Sequence, residues 1–280
     1  MTTVRESLDF DIRPSRGRRN GCGPGKVALL AALMIGLVAL TPRHAHADEV
    51  AVAVAANFLE PLKGLQEGFA EATGHQLRIS AGSTGELYTQ IKNGAPFDVF
   101  LSADQKRPAA LEDEGLAVKG GRFTYAIGRL VLWSADGSLI KGDGPAVLKA
   151  GAFRHLALAN PKTAPYGEAA LNVLNRLGLY QALEPKLVQG QSLAQTYQFV
   201  ALGTAELGFV ALSQVRAIGP GGASPGSSWL VPEDLYDPIL QDAVLLQHGA
   251  NNAAAQALID YLKGPEARAA IEAHGYGVSP

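Results

Sequence analysis

The sequence predicts an α/β fold in two lobes with a ligand cleft between them. Short apolar segments alternate with amphipathic ones over residues 50–115, and the alternation resumes over residues 155–213. Two long β-rich segments, 123–136 and 236–249, connect these regions. Alternating strands and helices are typical of parallel sheets covered by helices, and two long connections between such sheets would join two lobes.

The first α/β region begins with a run of small apolar residues at 50–56, which is typical of a buried parallel strand. A helix ending at Gly74 follows, because apolar residues recur on one helical face: Phe58, Leu62, Leu65 and Phe69. The pattern predicts two more pairs, namely strands 76–80 and 97–104 with helices 85–93 and 105–115. This order predicts a parallel sheet with helices on its faces.

The second region repeats the pattern after the first β-rich connection. Its predicted strands are 155–160, 185–190 and 205–213, and its predicted helices are 167–178 and 192–203. Two C-terminal helices are expected to pack back on the first lobe. We therefore assign residues 48–128 and 239–280 to lobe 1 and residues 129–238 to lobe 2.

Four strand-to-helix junctions carry polar or turn-forming residues, two of them in each predicted lobe. Three have capping-box spacing: Asn57 with Glu60, Ser83 with Glu86, and Ser192 with Gln195. The fourth is the proline-rich turn 160–168. Ligands of open α/β sheets bind beyond the carboxyl ends of the strands, where helices begin.

A helix start presents unpaired N–H groups and the positive end of the helix dipole, so it can bind an anion without a charged side chain. Any one of these junctions alone is explained by capping. Four of them facing one cleft indicate an anion site. The stretch Ser83-Thr84 places two adjacent hydroxyls at one such helix start, either to cap the helix or to hold a ligand at its open end.

Several blocks of the chain resemble the molybdate-binding proteins of bacterial ABC transporters. The most specific are "GAPFDVFLSAD" and "APYGEAAL", and the similarity runs in order through the segment after residue 47. The resemblance implies a periplasmic-binding-protein fold of type II, with two crossing strands, that binds molybdate or tungstate between its lobes. It also implies delivery to a membrane permease, no cofactor and no enzymatic activity.

Carried onto this sequence, the resemblance implies an oxyanion site in which hydroxyl and backbone N–H groups hold the ligand. The implied residues are Asn57, Ser83, Thr84, Tyr166 and Leu193. Of the adjacent pair Ser83-Thr84, we expect one hydroxyl to cap the helix and the other to donate to the oxyanion. Some relatives use a tyrosine near the end of the strand "LGFV", where this chain has Ala211. The Tyr166 hydroxyl or the Asn57 amide is expected to compensate for it.

Residues 1–47 are predicted to be a signal peptide. The apolar run 27–40 is short for a membrane span and precedes Ala45-His46-Ala47, an A-x-A cleavage pattern. Cleavage after Ala47 would place the mature protein in the periplasm and remove Cys22, the one cysteine of the chain. An uncleaved membrane anchor is the alternative. Arg18-Arg19 is a weak sign of twin-arginine export, because the residues after it do not fit that signal.

Charge and motifs exclude several other classes of protein. The predicted leader holds seven of the 24 basic and three of the 26 acidic residues, which leaves 17 and 23 and a net charge of −6. A mildly acidic exported protein is a poor candidate for nucleic acid or an anionic membrane surface. We also expect the protein to be a monomer. The scattered histidines give no metal-ligand spacing. Two alternatives remain, a receptor for another tetrahedral oxyanion such as sulfate, and an exported hydrolase with Ser83 or Thr84 as nucleophile.

Overall fold

The computed structural model describes residues 48–216 and 226–278. The strands are β1 Glu49–Ala55, β2 Gln76–Gly82, β3 Val99–Leu101, β4 Phe123–Gly128, β5 Leu130–Ser134, β6 Leu156–Ala159, β7 Leu187–Gly190, β8 Leu207–Ala211, β9 Ser227–Leu230 and β10 Ile239–Leu245. The helices are α1 Leu59–Thr73, α2 Thr84–Lys92, α3 Lys106–Asp113, α4 Gly144–Ala150, α5 Pro165–Arg176, α6 Tyr180–Leu183, α7 Leu193–Ala201, α8 Leu212–Arg216, α9 Ala253–Lys263 and α10 Pro265–Ala273.

These strands form two five-stranded mixed sheets. The first has the order β2-β1-β3-β10-β4, and the second has the order β7-β6-β8-β5-β9. In each sheet three strands run parallel, and the next strand pairs antiparallel with them. The predicted α/β fold with two lobes is confirmed. Below, lobe 1 means the first sheet with α1–α3, α9 and α10, and lobe 2 means the second sheet with α4–α8.

The chain passes between the sheets twice. The first passage lies between β4 and β5, where Arg129 alone separates strands of different sheets. The second passage runs from β9 to β10 through a short 3-10 helix, Glu233–Leu235. The segment 123–136 is therefore two strands rather than one. The lobe boundaries at residues 128 and 238 remain a prediction.

Both faces of the first sheet are buried, which explains the unbroken apolar run of β1. Val50, Val52 and Val54 pack on one face in a core that includes residues of α1, α9 and α10. Ala51 and Ala53 pack on the other face against α2 and α3. The two C-terminal helices thus pack on lobe 1, as predicted.

Three local predictions differ from the structure. The third strand is shorter than 97–104 and spans Val99–Leu101, although Asp98 and Ser102 beside it also donate backbone hydrogen bonds to β1 and β10. The segment 205–213 does not stay extended to its end, since helix α8 begins at Leu212. Strand β9 was not predicted, and it follows a stretch rich in Gly, Ser and Pro that favours a loop.

The predicted signal peptide lies outside the described residues, and so does Cys22. Among the helices of the described ranges, none combines the length and the apolar character needed to cross a bilayer. The cleavage after Ala47 stays a prediction.

Candidate functional site

A small cavity lies between the lobes and is lined by all five residues that the sequence analysis assigned to the site: Asn57, Ser83, Thr84, Tyr166 and Leu193. The remaining lining residues are alanine, glycine and proline. We call this cavity the interlobe cavity. The structure therefore brings together turns that are more than 100 residues apart in the chain.

Ser83 and Thr84 have different partners at the start of α2. Ser83 is the N-cap, because its hydroxyl accepts from the N–H of Glu86 at 3.4 Å and the Glu86 carboxylate accepts from the N–H of Ser83 at 3.3 Å. The Thr84 hydroxyl accepts from the N–H of Ala103 at 3.1 Å. No described residue accepts the Thr84 hydroxyl hydrogen. The predicted capping box is confirmed, and the Thr84 hydroxyl hydrogen is available to the cavity.

Asn57 was predicted as an N-cap, and that prediction is wrong. It lies inside a 3-10 turn, Ala56–Phe58, and caps no helix. Its side-chain amide donates to Gln241 Oε1 at 2.8 Å and to the Tyr276 hydroxyl at 3.1 Å. Both amide hydrogens are thereby used, so the backbone N–H is what Asn57 can offer to the cavity.

Lobe 2 contributes two helix starts. Helix α7 begins at Leu193 and is capped by Ser192, whose hydroxyl accepts from the N–H of Gln195 at 3.3 Å. Helix α5 begins at Pro165, and Tyr166 is its second residue. Proline is favoured at the first helical position, because the N–H it lacks would be unpaired there. The side chains of Tyr166 and Leu193 are buried in the lobe 2 core, so backbone is what these turns present.

Four backbone N–H groups at the cavity have no acceptor among the described residues: those of Asn57, Thr84, Tyr166 and Leu193. Each lies in the first turn of a helical segment, where the helix itself supplies no acceptor. The dipoles of α2, α5 and α7 add positive potential at their N-terminal ends. Together with two hydroxyls, these groups make a cavity suited to an anion with several acceptor oxygens.

The cavity lining carries no charged side chain. Tyr166 is its one titratable residue, and burial raises the pKa of Tyr166 well above the usual value. The nearby cation, Arg107, is paired with Asp104. An anion bound here would therefore interact with neutral dipoles.

The lobes are closed over the cavity. The N–H of Gly85 in α2 donates to the carbonyl of Thr163 in lobe 2 at 2.8 Å. Arg107 Nη2 donates to the carbonyl of Lys162 at 3.1 Å. All five predicted site residues are at most 4% exposed. Ligand exchange therefore requires the lobes to open.

Ala211 occupies the position at which some relatives have a tyrosine. Ala211 is buried and does not line the cavity. The expected compensation is not present in this conformation. The Tyr166 hydroxyl turns toward Gln241 of β10, whose Nε2 donates to it at 3.3 Å, and both hydrogens of the Asn57 amide are already donated to Gln241 and Tyr276. The Thr84 and Ser83 hydroxyls are the side-chain donors that face the cavity.

Three polar residues behind the cavity were missed by the sequence analysis: Ser213, Gln241 and Tyr276. A local signal exists for Gln241, since it is a polar residue in the apolar segment of β10 and is fully buried. The other two are recognisable only from contacts distant in sequence. The described residues also contain no cluster of His, Cys, Asp or Glu that could hold a metal ion.

Two α/β lobes closed over a buried, uncharged cavity define a solute-binding protein, which captures a small ligand by closing around it. The chain belongs to the bacterial extracellular solute-binding protein family, whose model matches residues 50–277. It is accordingly a substrate-binding component of an ABC transporter that works in the periplasm, and it is not an enzyme.

Individual relatives are similar over nearly the whole family region. The molybdate-binding protein ModA of Azotobacter vinelandii is 57% identical over 89% of this chain and 97% of that protein. The molybdate-binding protein ModA of Rhodobacter capsulatus is 54% identical over 89% of this chain and 94% of that protein. The solved structure of the Azotobacter vinelandii periplasmic molybdate-binding protein superposes with a TM-score of 0.79 and 45% identity, covering 82% of this chain and 100% of that chain.

Proposed function

We propose that this protein captures molybdate or tungstate in the periplasm and delivers it to the membrane permease of an ABC transporter. The observation that carries the proposal is the interlobe cavity, where four turns from two lobes present N–H and hydroxyl donors and no acceptor carboxylate. Molybdate is a fully deprotonated tetrahedral anion, so donors on every side match it. The molybdate-binding relatives support this choice of ligand.

The binding residues that we propose are Asn57, Thr84, Tyr166 and Leu193 through their backbone N–H groups. The hydroxyls of Thr84 and Ser83 add side-chain donors from lobe 1. Because hydrogen bonds to an ionised acceptor are worth about 1.5–3 kcal/mol each, the loss of one should weaken binding by about tenfold to a hundredfold.

Phosphate is expected to bind poorly, because it carries a proton near neutral pH and a site made of donors cannot accept that proton. Sulfate carries no such proton and is the informative competitor. Isothermal titration of the purified protein with molybdate, tungstate, sulfate and phosphate tests the proposal. We expect one molybdate or one tungstate ion to bind per protein molecule. The proposal is refuted if the protein binds neither of the two ions.

Closure around the ligand should also stabilise the fold. A ligand that binds the folded state alone stabilises it by about 4 kcal/mol at a thousandfold excess over its dissociation constant. Molybdate should therefore raise the melting temperature and reduce the radius of gyration in solution scattering. The same scattering data give the mass in solution, which we expect to be that of a monomer.

The proposal includes a leader, residues 1–47, that is cleaved after Ala47 during export. N-terminal sequencing of the protein recovered from the periplasm should start at Asp48. Recovery of the uncleaved chain in the membrane fraction would instead support an anchor.

A further inference from the structure

The turn that carries Asn57 is held from behind by a buried group of polar side chains. The carbonyl of Asn57 accepts from the Tyr276 hydroxyl at 2.7 Å and from the Ser213 hydroxyl at 3.0 Å. The two hydroxyls are 2.9 Å apart. The Asn57 carbonyl oxygen and the two hydroxyl oxygens form a triangle, and the two hydroxyl hydrogens are shared among its three contacts.

This triangle joins the two lobes. Tyr276 belongs to lobe 1, where its ring packs edge-on against Phe58 at 5.5 Å and its segment pairs with β4 through Ile127 and Gly277. Ser213 belongs to lobe 2, because α8 continues directly from β8 and Val215 packs in a lobe 2 core cluster. The hydrogen bonds of Ser213 to Asn57 and Tyr276 therefore cross from one lobe to the other.

A second set of contacts crosses between the lobes through Gln241. Its Oε1 accepts from the Asn57 amide at 2.8 Å and from the Tyr125 hydroxyl at 3.2 Å. Its Nε2 donates to the hydroxyl of Tyr166, in lobe 2, at 3.3 Å. Gln241 thus connects a turn proposed to bind the anion in lobe 1 with one in lobe 2.

The hydroxyls of this group stay protonated throughout the physiological range. Burial raises the pKa of Tyr125, Tyr166 and Tyr276 above that of an exposed tyrosine. All six side chains are buried when the lobes are closed: Asn57, Tyr125, Tyr166, Ser213, Gln241 and Tyr276.

We expect the contacts of Ser213 with Asn57 and Tyr276, and of Gln241 with Tyr166, to break when the lobes open, because the partners of each contact belong to different lobes. A hydrogen bond within one lobe contributes equally to the open and closed states. A hydrogen bond between the lobes instead favours closure. It shifts the equilibrium by the difference between the free energy that it contributes in the closed state and in the open state.

We propose that Ser213, Gln241 and Tyr276 form a latch between the lobes, which positions the Asn57 turn and holds the closed state around the bound oxyanion. The three are positioning residues, since they act through Asn57 and Tyr166 rather than on the ligand. This inference rests on the proposed function. The latch should slow the release of the ligand, because release requires the lobes to open.

Ser213→Ala tests the latch, with Ser134→Ala as a matched control. Ser134 is also a buried serine of lobe 2, but its hydroxyl donates to the Glu206 carbonyl at 2.7 Å within the same lobe. Dissociation of molybdate is followed by stopped-flow tryptophan fluorescence, with Trp133 stacked on Tyr197 of α7 as the reporter. The protein is purified from the periplasm.

We expect Ser213→Ala to release molybdate about tenfold faster, with an unchanged association rate and an unchanged melting temperature without ligand. Ser134→Ala should instead lower the melting temperature with and without ligand and leave the release rate unchanged. Tyr276→Phe is the second latch variant, and it should also release the ligand faster. Combined with Ser213→Ala, it should add less than its separate effect, because both remove one shared contact.

The latch is refuted if the wild-type protein binds molybdate and both Ser213→Ala and Tyr276→Phe release it at the wild-type rate. Equal acceleration by Ser134→Ala would also refute it, because the effect would then be general destabilisation. A wild-type protein that binds no tetrahedral oxyanion would refute the proposed function itself, and the latch with it.

Discussion

Lobe 1 and lobe 2 share one sheet topology and use it differently at the cavity. In each sheet a central parallel strand, β1 or β6, is flanked by two parallel strands and followed by an antiparallel one. The turns after the central strand and after the outer strand face the cavity in both lobes. The shared topology therefore supplies a pair of helical starts from each side.

The side chains at these turns differ between the lobes. Lobe 1 presents the hydroxyls of Ser83 and Thr84, whereas lobe 2 presents backbone alone, with the Tyr166 hydroxyl turned to Gln241. The shared topology thus places the backbone N–H donors in both lobes, and the side chains at the turns add hydroxyl donors in lobe 1 alone. We expect lobe 1 to bind the anion first and lobe 2 to complete the site on closure.

The largest effect is expected from removing a backbone donor of lobe 2. Leu193→Pro deletes one N–H at the first position of α7, where proline fits, and the preceding Ser192 is already extended. Affinity for molybdate should fall about a hundredfold. Leu193→Ala keeps the N–H and loses the buried side chain, so it controls for packing. Equal affinities of the two variants would remove this N–H from the site.

The next effect concerns the hydroxyls of lobe 1. Thr84→Ala should weaken binding by about tenfold to a hundredfold, and Thr84→Ser should retain most of the affinity. Both folding stability and affinity should fall in Thr84→Ala, since the N–H of Ala103 loses its acceptor. Ser83→Ala should cost roughly 1 kcal/mol of stability as a lost cap and change affinity less. Titration calorimetry and thermal melting of the variants separate these roles, and an unchanged affinity in Thr84→Ala would contradict them.

A smaller effect is expected at the contact between the lobes. A methyl group at Gly85 would lie 3.0 Å from Thr163 Cα, a backbone atom, once the lobes close. Gly85→Ala should therefore oppose closure and reduce affinity by several-fold, with stability unchanged in the absence of ligand. Gly121→Ala is the control, because its methyl group would meet the nearest atom at an ordinary 3.5 Å. Scattering with saturating molybdate would contradict the idea if Gly85→Ala closed as fully as the wild type.

The smallest effect is expected from pH and salt. The cavity has no charged side chain, and the raised pKa of Tyr166 keeps that residue neutral well into the alkaline range. Affinity should stay nearly constant from about pH 6 to about pH 9 and depend weakly on ionic strength. A steep fall with added salt in titrations would indicate that a cation such as Arg107 binds the anion directly.

Local patterns in the sequence predicted much of the fold and part of the site. The spacing of Ser83 and Glu86 identified a cap that the structure contains, and the apolar run of β1 identified a strand buried on both faces. The spacing of Asn57 and Glu60 was misleading. Asn57 is fixed by Gln241 and Tyr276, which lie 184 and 219 residues away, and no local pattern carries such contacts.

The most direct test of the proposed oxyanion site is a crystal structure of the protein with molybdate, with anomalous scattering measured at the molybdenum absorption edge. We predict one anomalous peak in the interlobe cavity, within hydrogen-bonding distance of the backbone N–H groups of Thr84 and Leu193, one from each lobe. A peak outside this cavity, or one that contacts a single lobe in a closed protein, would contradict the proposed binding of the oxyanion between the lobes.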